Sequence, residues 1–186
     1  MWWSKLIMVF ALFVFLSGCK KAEDSIIAVH KEKSIPLSKM KETFPFSEAE
    51  KIEVISYSLR HTWDTIVVNG YTRTADVVKD KKLQVNPTGI KDRIVLDSKS
   101  TEKLFKFFFT ESCHDGSEAT CYSPRHSVLF YNEKNEIIAY IEVCLECAIS
   151  MNSEGFDYNS LCIERMGDLH KIFKEAGVKY FGEEDK

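Results

Sequence analysis

Val67-Val68-Asn69-Gly70-Tyr71-Thr72 constrains this chain more than any other stretch. Asn-Gly between strand-forming residues is the strongest short-range signal for a tight hairpin, because both turn positions need positive φ and these two residues reach it at least cost. Strands are expected near 63–68 and 71–78. A second hairpin is expected where residues 125–131 and 136–144 flank Asn132-Glu133-Lys134-Asn135. Two hairpins exclude an all-helical bundle, and strands that do not alternate regularly with helices exclude a parallel α/β sheet. The remaining class is α+β, an antiparallel sheet with helices packed on one face.

Ile52 to Tyr57 alternates as a strand, and Arg93 to Leu96 reads as another. Ser98 or Ser100 can cap a helix near 100–110 through Leu104, Phe105 and Phe108, with Phe107-Phe108-Phe109 as packing residues. Cys162, Met166, Leu169, Phe173 and Ala176 recur at helical spacing and Gly177 provides a stop, so residues 160–176 form an amphipathic helix. On that apolar face Cys162 reads as a small buried hydrophobe. Ser47-Glu48-Ala49-Glu50 suits a short capped turn, and a single domain over 47–186 is expected, with 19–46 as tether or irregular segment. No repeat at a 20–50 residue period is present.

The chain is 45% hydrophobic and 28% charged, which excludes collagen-like and wholly disordered classes. Its net charge of −3 gives no support for a basic nucleic-acid-binding surface. The long apolar run, Leu6 to Leu16, falls short of the roughly 20 residues that a membrane-spanning helix needs.

That run follows Lys5 and precedes small residues, the three parts of a secretory signal over residues 1–18. Leu16-Ser17-Gly18-Cys19 resembles the lipobox of bacterial lipoproteins. The resemblance implies cleavage before Cys19, a lipid on Cys19 and attachment of the mature domain to a membrane through acyl chains. Lys20-Lys21-Ala22-Glu23-Asp24-Ser25 suits a polar tether. Lys20 stands where an Asp resembles an inner-membrane retention signal, which favours the outer membrane. The expected setting is therefore the bacterial cell envelope, with the membrane and an envelope protein as partners.

Five cysteines remain beyond the anchor: Cys113, Cys121, Cys144, Cys147 and Cys162. Symmetric closure of the second hairpin about 132–135 sets Arg125 opposite Glu142 as a cross-strand ion pair, and Val128 opposite Ala139. Cys121 then falls beside the Cys144–Cys147 segment, and the 111–120 loop keeps Cys113 and His114 within reach. Three readings compete. In the first, Cys113, Cys121, Cys144 and Cys147 form disulfides in a permissive compartment, with Cys121 linked to one of the other three and Cys113 its favoured partner. In the second, Cys144-Leu145-Glu146-Cys147 is a reactive thiol pair, although Glu142 and Glu146 disfavour a thiolate and no helix N-terminus is in place. In the third, Cys113, His114, Cys121, His126, Cys144 and Cys147 supply ligands for zinc or copper, although a second CxxC is missing. No cofactor is expected on the first reading. By parity His126 shares a face with Val128 and Phe130, which suits hydrogen-bonded packing as well as ligation.

Cys121-Tyr122-Ser123-Pro124-Arg125-His126 followed by Phe130-Tyr131 and Ile141-Glu142-Val143-Cys144-Leu145-Glu146-Cys147 resembles a C-x-x-P-R-H…F-Y…I-E-(I/V)-C-x-x-C pattern of uncharacterised bacterial exported proteins. The resemblance implies no particular activity. The chain has no Gly-x-Ser-x-Gly elbow, phosphate-binding Gly-rich loop or His-Glu-x-x-His. The expectation is a noncatalytic binding or structural module, with thiol-redox or metal handling as the alternative.

Overall fold

The structure, a computed structural model, describes residues 34–110, 113 and 122–182, all within the compact unit spanning 32–186. The signal segment, Cys19, the tether, His114 and Cys121 lie outside the described residues. In chain order the elements are β1 (Lys51–Tyr57), β2 (Thr65–Val68), β3 (Tyr71–Thr74), β4 (Val78–Lys79), β5 (Lys82–Leu83), β6 (Ile90–Val95), α1 (Ser98–Phe109), β7 (His126–Tyr131), β8 (Ile137–Cys144), β9 (Ile149–Asn152) and α2 (Ile163–Ala176). The class is α+β. One antiparallel sheet has the order β6-β1-β7-β8-β9, and β2-β3 and β4-β5 form separate two-stranded ribbons.

Asn69 and Gly70 take φ of 51° and 81° between Val68 and its partner Tyr71, the geometry that Asn-Gly is suited to. The strands are shorter than the expected 63–68 and 71–78. All four residues of β2 are exposed, so pairing in this ribbon lacks a buried face to extend it. The second hairpin has the expected strands but a register two residues from symmetric closure: Val128 pairs with Ile141, and Ser127 with Glu142. Asn132 causes the difference. Its backbone N–H donates to the Glu136 carbonyl at 3.0 Å, and its side-chain oxygen accepts from the backbone N–H groups of Lys134 and Glu136, closing a wider loop. A bulge between Phe130 and Tyr131 absorbs the extra residue. Because the shift is even, every side chain keeps its expected face.

The cap of α1 is Asp97, one residue ahead of the serines. Its carboxylate accepts from the Ser100 N–H at 2.7 Å, and a negative charge suits a helix N-terminus better than a hydroxyl does. α2 starts at Ile163 and ends on Gly177, whose φ of 112° lets the Val178 N–H reach back to the Phe173 carbonyl.

The sheet is covered on both faces. Ile52, Val54, Val128, Phe130 and Ile141 pack against both helices, with Phe46 in edge contact with Phe105 at 5.2 Å and Phe130 at 5.1 Å. Ile35, Leu37 and Met40 join this core, and the Ile35 N–H donates to the Phe109 carbonyl at 2.7 Å, so packing starts ahead of residue 47. On the other face Ile55, Tyr57, Leu129 and Tyr131 meet Val77 and Val85 from the long excursion between β1 and β6.

Candidate functional site

Four of the five cysteines beyond Cys19 form two disulfides, Cys113–Cys162 and Cys144–Cys147, with Cα separations of 5.9 and 5.3 Å. Two expectations are corrected. Cys162 is a cross-linked residue rather than a lone hydrophobe, and Cys113 pairs with it instead of with Cys121. The docking of α2 explains this. Arg165, buried in its first turn, donates to the Phe107 carbonyl near the end of α1 and to the Ser160 carbonyl, with its guanidinium 4.5 Å from the Phe107 ring centre. This holds the helix start, and hence Cys162, beside Cys113. For the second bridge the chain bends straight after β8: the Cys147 and Ala148 N–H groups both donate to the Cys144 carbonyl, and Ala148 takes φ of 55°. Residues three apart on a straight strand point to opposite faces, and this bend brings the two sulfurs together.

Four of the six candidate metal ligands have other partners. Cys113, Cys144 and Cys147 are in disulfides, His126 hydrogen-bonds the Tyr180 carbonyl, and His114 and Cys121 lie outside the described residues. Among the described residues no three His, Cys, Asp or Glu side chains come together as metal ligands. The Cys144–Cys147 bridge is buried, with both residues at most 1% exposed.

Arg125 does not pair with Glu142. With the register two residues away, its guanidinium lies 3.5 Å from Glu146. Glu142 instead accepts from Arg60 at 2.9 Å, Tyr57 at 2.6 Å and Tyr122 at 3.0 Å in a buried network. Burial, with the neighbouring Glu142 charge, holds the Tyr57 hydroxyl well above its ordinary pKa, so it remains a donor. Arg60 carried no signal in the sequence, being an isolated residue of an irregular segment.

His126 sits, as parity requires, on the helix-covered face, with its ring 5.6 Å from that of Phe173 and 5.1 Å from that of Phe181. Burial pushes its pKa down to about 4, against the opposing hydrogen bond to Tyr180. The ring is thus neutral at pH 7. A carbonyl only accepts, so Nε2 carries the proton at 3.0 Å from the Tyr180 oxygen and Nδ1 keeps its lone pair.

His126 lies against a cleft of about 450 Å³ at this end of the sheet. One wall is α2, where Ile163, Met166, Gly167 and His170 share one side of the helix. Leu145 and Glu146, enclosed by the Cys144–Cys147 bridge, form a second wall, and Arg125 and Phe181 complete it. A Cβ on Gly167 would meet no atom within 4 Å. The geometry offers an apolar enclosure with one guanidinium, one carboxylate and two imidazoles at its surface. The chain matches no protein-family model, no curated protein and no solved structure.

Proposed function

We propose that this protein is a lipid-anchored module of the bacterial cell envelope, acylated at Cys19, whose folded domain binds a partner or ligand and performs no catalysis. One observation supports the noncatalytic part: Cys144, Cys147 and Cys162 are cross-linked and buried, which shields the Cys144–Cys147 pair from exchange with an outside thiol. Disulfides of this kind suit an exported domain. Among the described residues no helix is long and apolar enough to cross a membrane; in this reading the acyl chains on Cys19 supply the attachment. Lys20 favours the outer membrane, and an envelope protein is the partner class in keeping with that setting.

Mass spectrometry of the mature N-terminus tests the anchor, with diacylated or triacylated Cys19 expected. Cys19→Ser should release the protein from membranes or block its maturation; a variant that still fractionates with membrane after carbonate washing overturns the anchor. Insulin reduction and metal analysis test the rest. Catalysed reduction, or stoichiometric zinc or copper, would replace this reading with a thiol-redox or metal-handling one.

A further inference from the structure

We infer that the tip of the β2-β3 hairpin, Ile66 to Tyr71, dips into the interfacial layer of the bilayer that holds the lipid anchor. The inference rests on the reading of Cys19 as acylated and adds a second, noncovalent membrane contact made by the folded domain.

Among the described residues seven large apolar side chains are exposed, and four of them, Ile66, Val67, Val68 and Tyr71, fall within six consecutive positions. Single apolar residues are ordinary on a protein surface, whereas a contiguous group marks a contact. Val67 is 72% exposed and Tyr71 79%. Strand propensity alone does not require them, because Thr72 and Thr74 serve β3 as polar strand formers. Nor do they pack on the domain: every residue from Thr65 to Arg73 is exposed. Val68 stands opposite Tyr71, Ile66 lies on the same side and Val67 on the other, so both faces of the tip are apolar.

The base of the ribbon is fixed. The Ala75 N–H donates to the Asp64 carbonyl at 3.0 Å, and Arg60 donates to the Asp64 carboxylate at 2.8 Å and to the Ala75 carbonyl at 2.6 Å. The tip thus projects from a braced support. Residues 65–72 carry no charge, and the charges behind them are paired, Arg73 with Asp76 at 3.8 Å and Asp64 with Arg60. No net charge opposes entry, and apolar contact with a neutral bilayer is enough.

Strand length decides depth. A four-residue strand rises about 13 Å, less than half of the ~30 Å hydrocarbon core, so the hairpin enters the interface and does not span it. Tyrosine, with an apolar ring and a polar tip, suits that layer. The anchor allows the contact: residues 20–33 separate Cys19 from Ser34, the first described residue. A chain of that length reaches at most about 50 Å, against about 40 Å for the diameter of a compact domain of this size. Any face can therefore turn to the bilayer, and surface chemistry selects which one does.

Tryptophan quenching by bilayers with brominated acyl chains tests this. Trp63 is the only tryptophan once residues 1–18 are removed, so Tyr71→Trp in the acylated protein adds one reporter at the tip. In phosphatidylcholine vesicles the added emission should shift to shorter wavelength and fall at least twofold when the acyl chains are brominated, with no dependence on salt. Val95→Trp, at a 57% exposed position on the edge strand β6, should show neither change. No quenching at position 71 beyond the Trp63 baseline, or equal quenching at both positions, overturns the inference. Adding Val67→Asp to Tyr71→Trp should restore at least half of the lost emission while the protein stays with the vesicles through Cys19; unchanged quenching there also overturns it. A mass of two copies in detergent that Val67→Asp reduces to one gives the tip to a second copy of the chain and has the same consequence. The two levels separate cleanly. An acylated protein without quenching at position 71 removes the hairpin contact and retains the envelope module, whereas an unacylated protein quenched at position 71 by added vesicles does the reverse.

Discussion

Arg60 donates from Nη1 to Glu142 at 2.9 Å across 82 residues of sequence, and both side chains are nearly fully buried. The same guanidinium bonds Asp64 at 2.8 Å and the Ala75 carbonyl at 2.6 Å, so one residue fastens the excursion between β1 and β6 to the face of β8. Removing one partner of a buried pair leaves the other charge uncompensated, at about 3–5 kcal/mol. Arg60→Met should therefore lower stability by that order. Arg60→Met with Glu142→Leu should cost clearly less than the sum of the two single changes. Urea unfolding of the four proteins in the cycle measures the coupling, and additive effects would show that the pair contributes nothing.

The two disulfides should differ in weight. Cys113–Cys162 spans 49 positions and Cys144–Cys147 only three, so loop-closure entropy assigns about 4 kcal/mol to the first and about 2 kcal/mol to the second. Paired serine substitutions, compared by chemical denaturation, should preserve that order. Nonreducing peptide mapping should recover both bridges; a Cys113–Cys121 peptide as the major species would contradict the assigned pairing.

What was legible in the sequence was local. The Asn69-Gly70 turn, the Gly177 stop and the strand parity of 126–131 each depend on a few neighbouring residues, and each is present as read. Register required one more hydrogen-bonded loop than symmetry supplies, because the Asn132 side chain closes onto Glu136. β9 was missed, being four residues long and half polar behind a bend. The partner of Cys113 was hidden for a different reason: helical spacing places Cys162 on the apolar face, but only the docking of α2 against α1 shows which thiol it meets. The cleft combines both kinds of information. Its α2 wall was a readable helix face, while its opening is set by a glycine whose meaning depends on the empty space beside it.

His126 gives the fold a defined acid sensitivity. Its native pKa is about 4 against an ordinary 6.5, because burial disfavours the charged ring. The unfolded chain therefore binds a proton more readily, and native stability falls as pH drops from about 6.5 towards 4. The loss amounts to about 3 kcal/mol over that window and vanishes above it. Asp92 and Glu53, both held below their ordinary values, act at lower pH with the same sign: burial raises each, and hydrogen bonds outweigh it. Thermal unfolding between pH 7.5 and 4.5 should show the slope, and His126→Gln should flatten it; an unchanged slope in that variant would assign the proton elsewhere.

Two glycines should respond to alanine in opposite directions. Gly167 lies within α2 with nothing near its missing Cβ, so Gly167→Ala removes the helix penalty of glycine and should stabilise by up to about 1 kcal/mol. Gly89 ends the short 3₁₀ helix Pro87–Gly89 directly under the Trp63 indole, and a Cβ there would overlap the ring. Trp63 packs against the Ile55, Tyr57 and Val85 cluster and donates from Nε1 to the Ser58 carbonyl at 3.3 Å, so it cannot yield without losing both contacts. Gly89→Ala should thus destabilise by about 1–3 kcal/mol, the range for overpacking a filled site. Trp2 and Trp3 fall within the expected signal segment, so Trp63 becomes the only tryptophan once it is removed. Its emission should shift to longer wavelength in Gly89→Ala and stay unchanged in Gly167→Ala. Equal melting temperatures for the two variants would mean that the indole moves away freely, and that the excursion over this face of the sheet is more loosely packed than its buried contacts require.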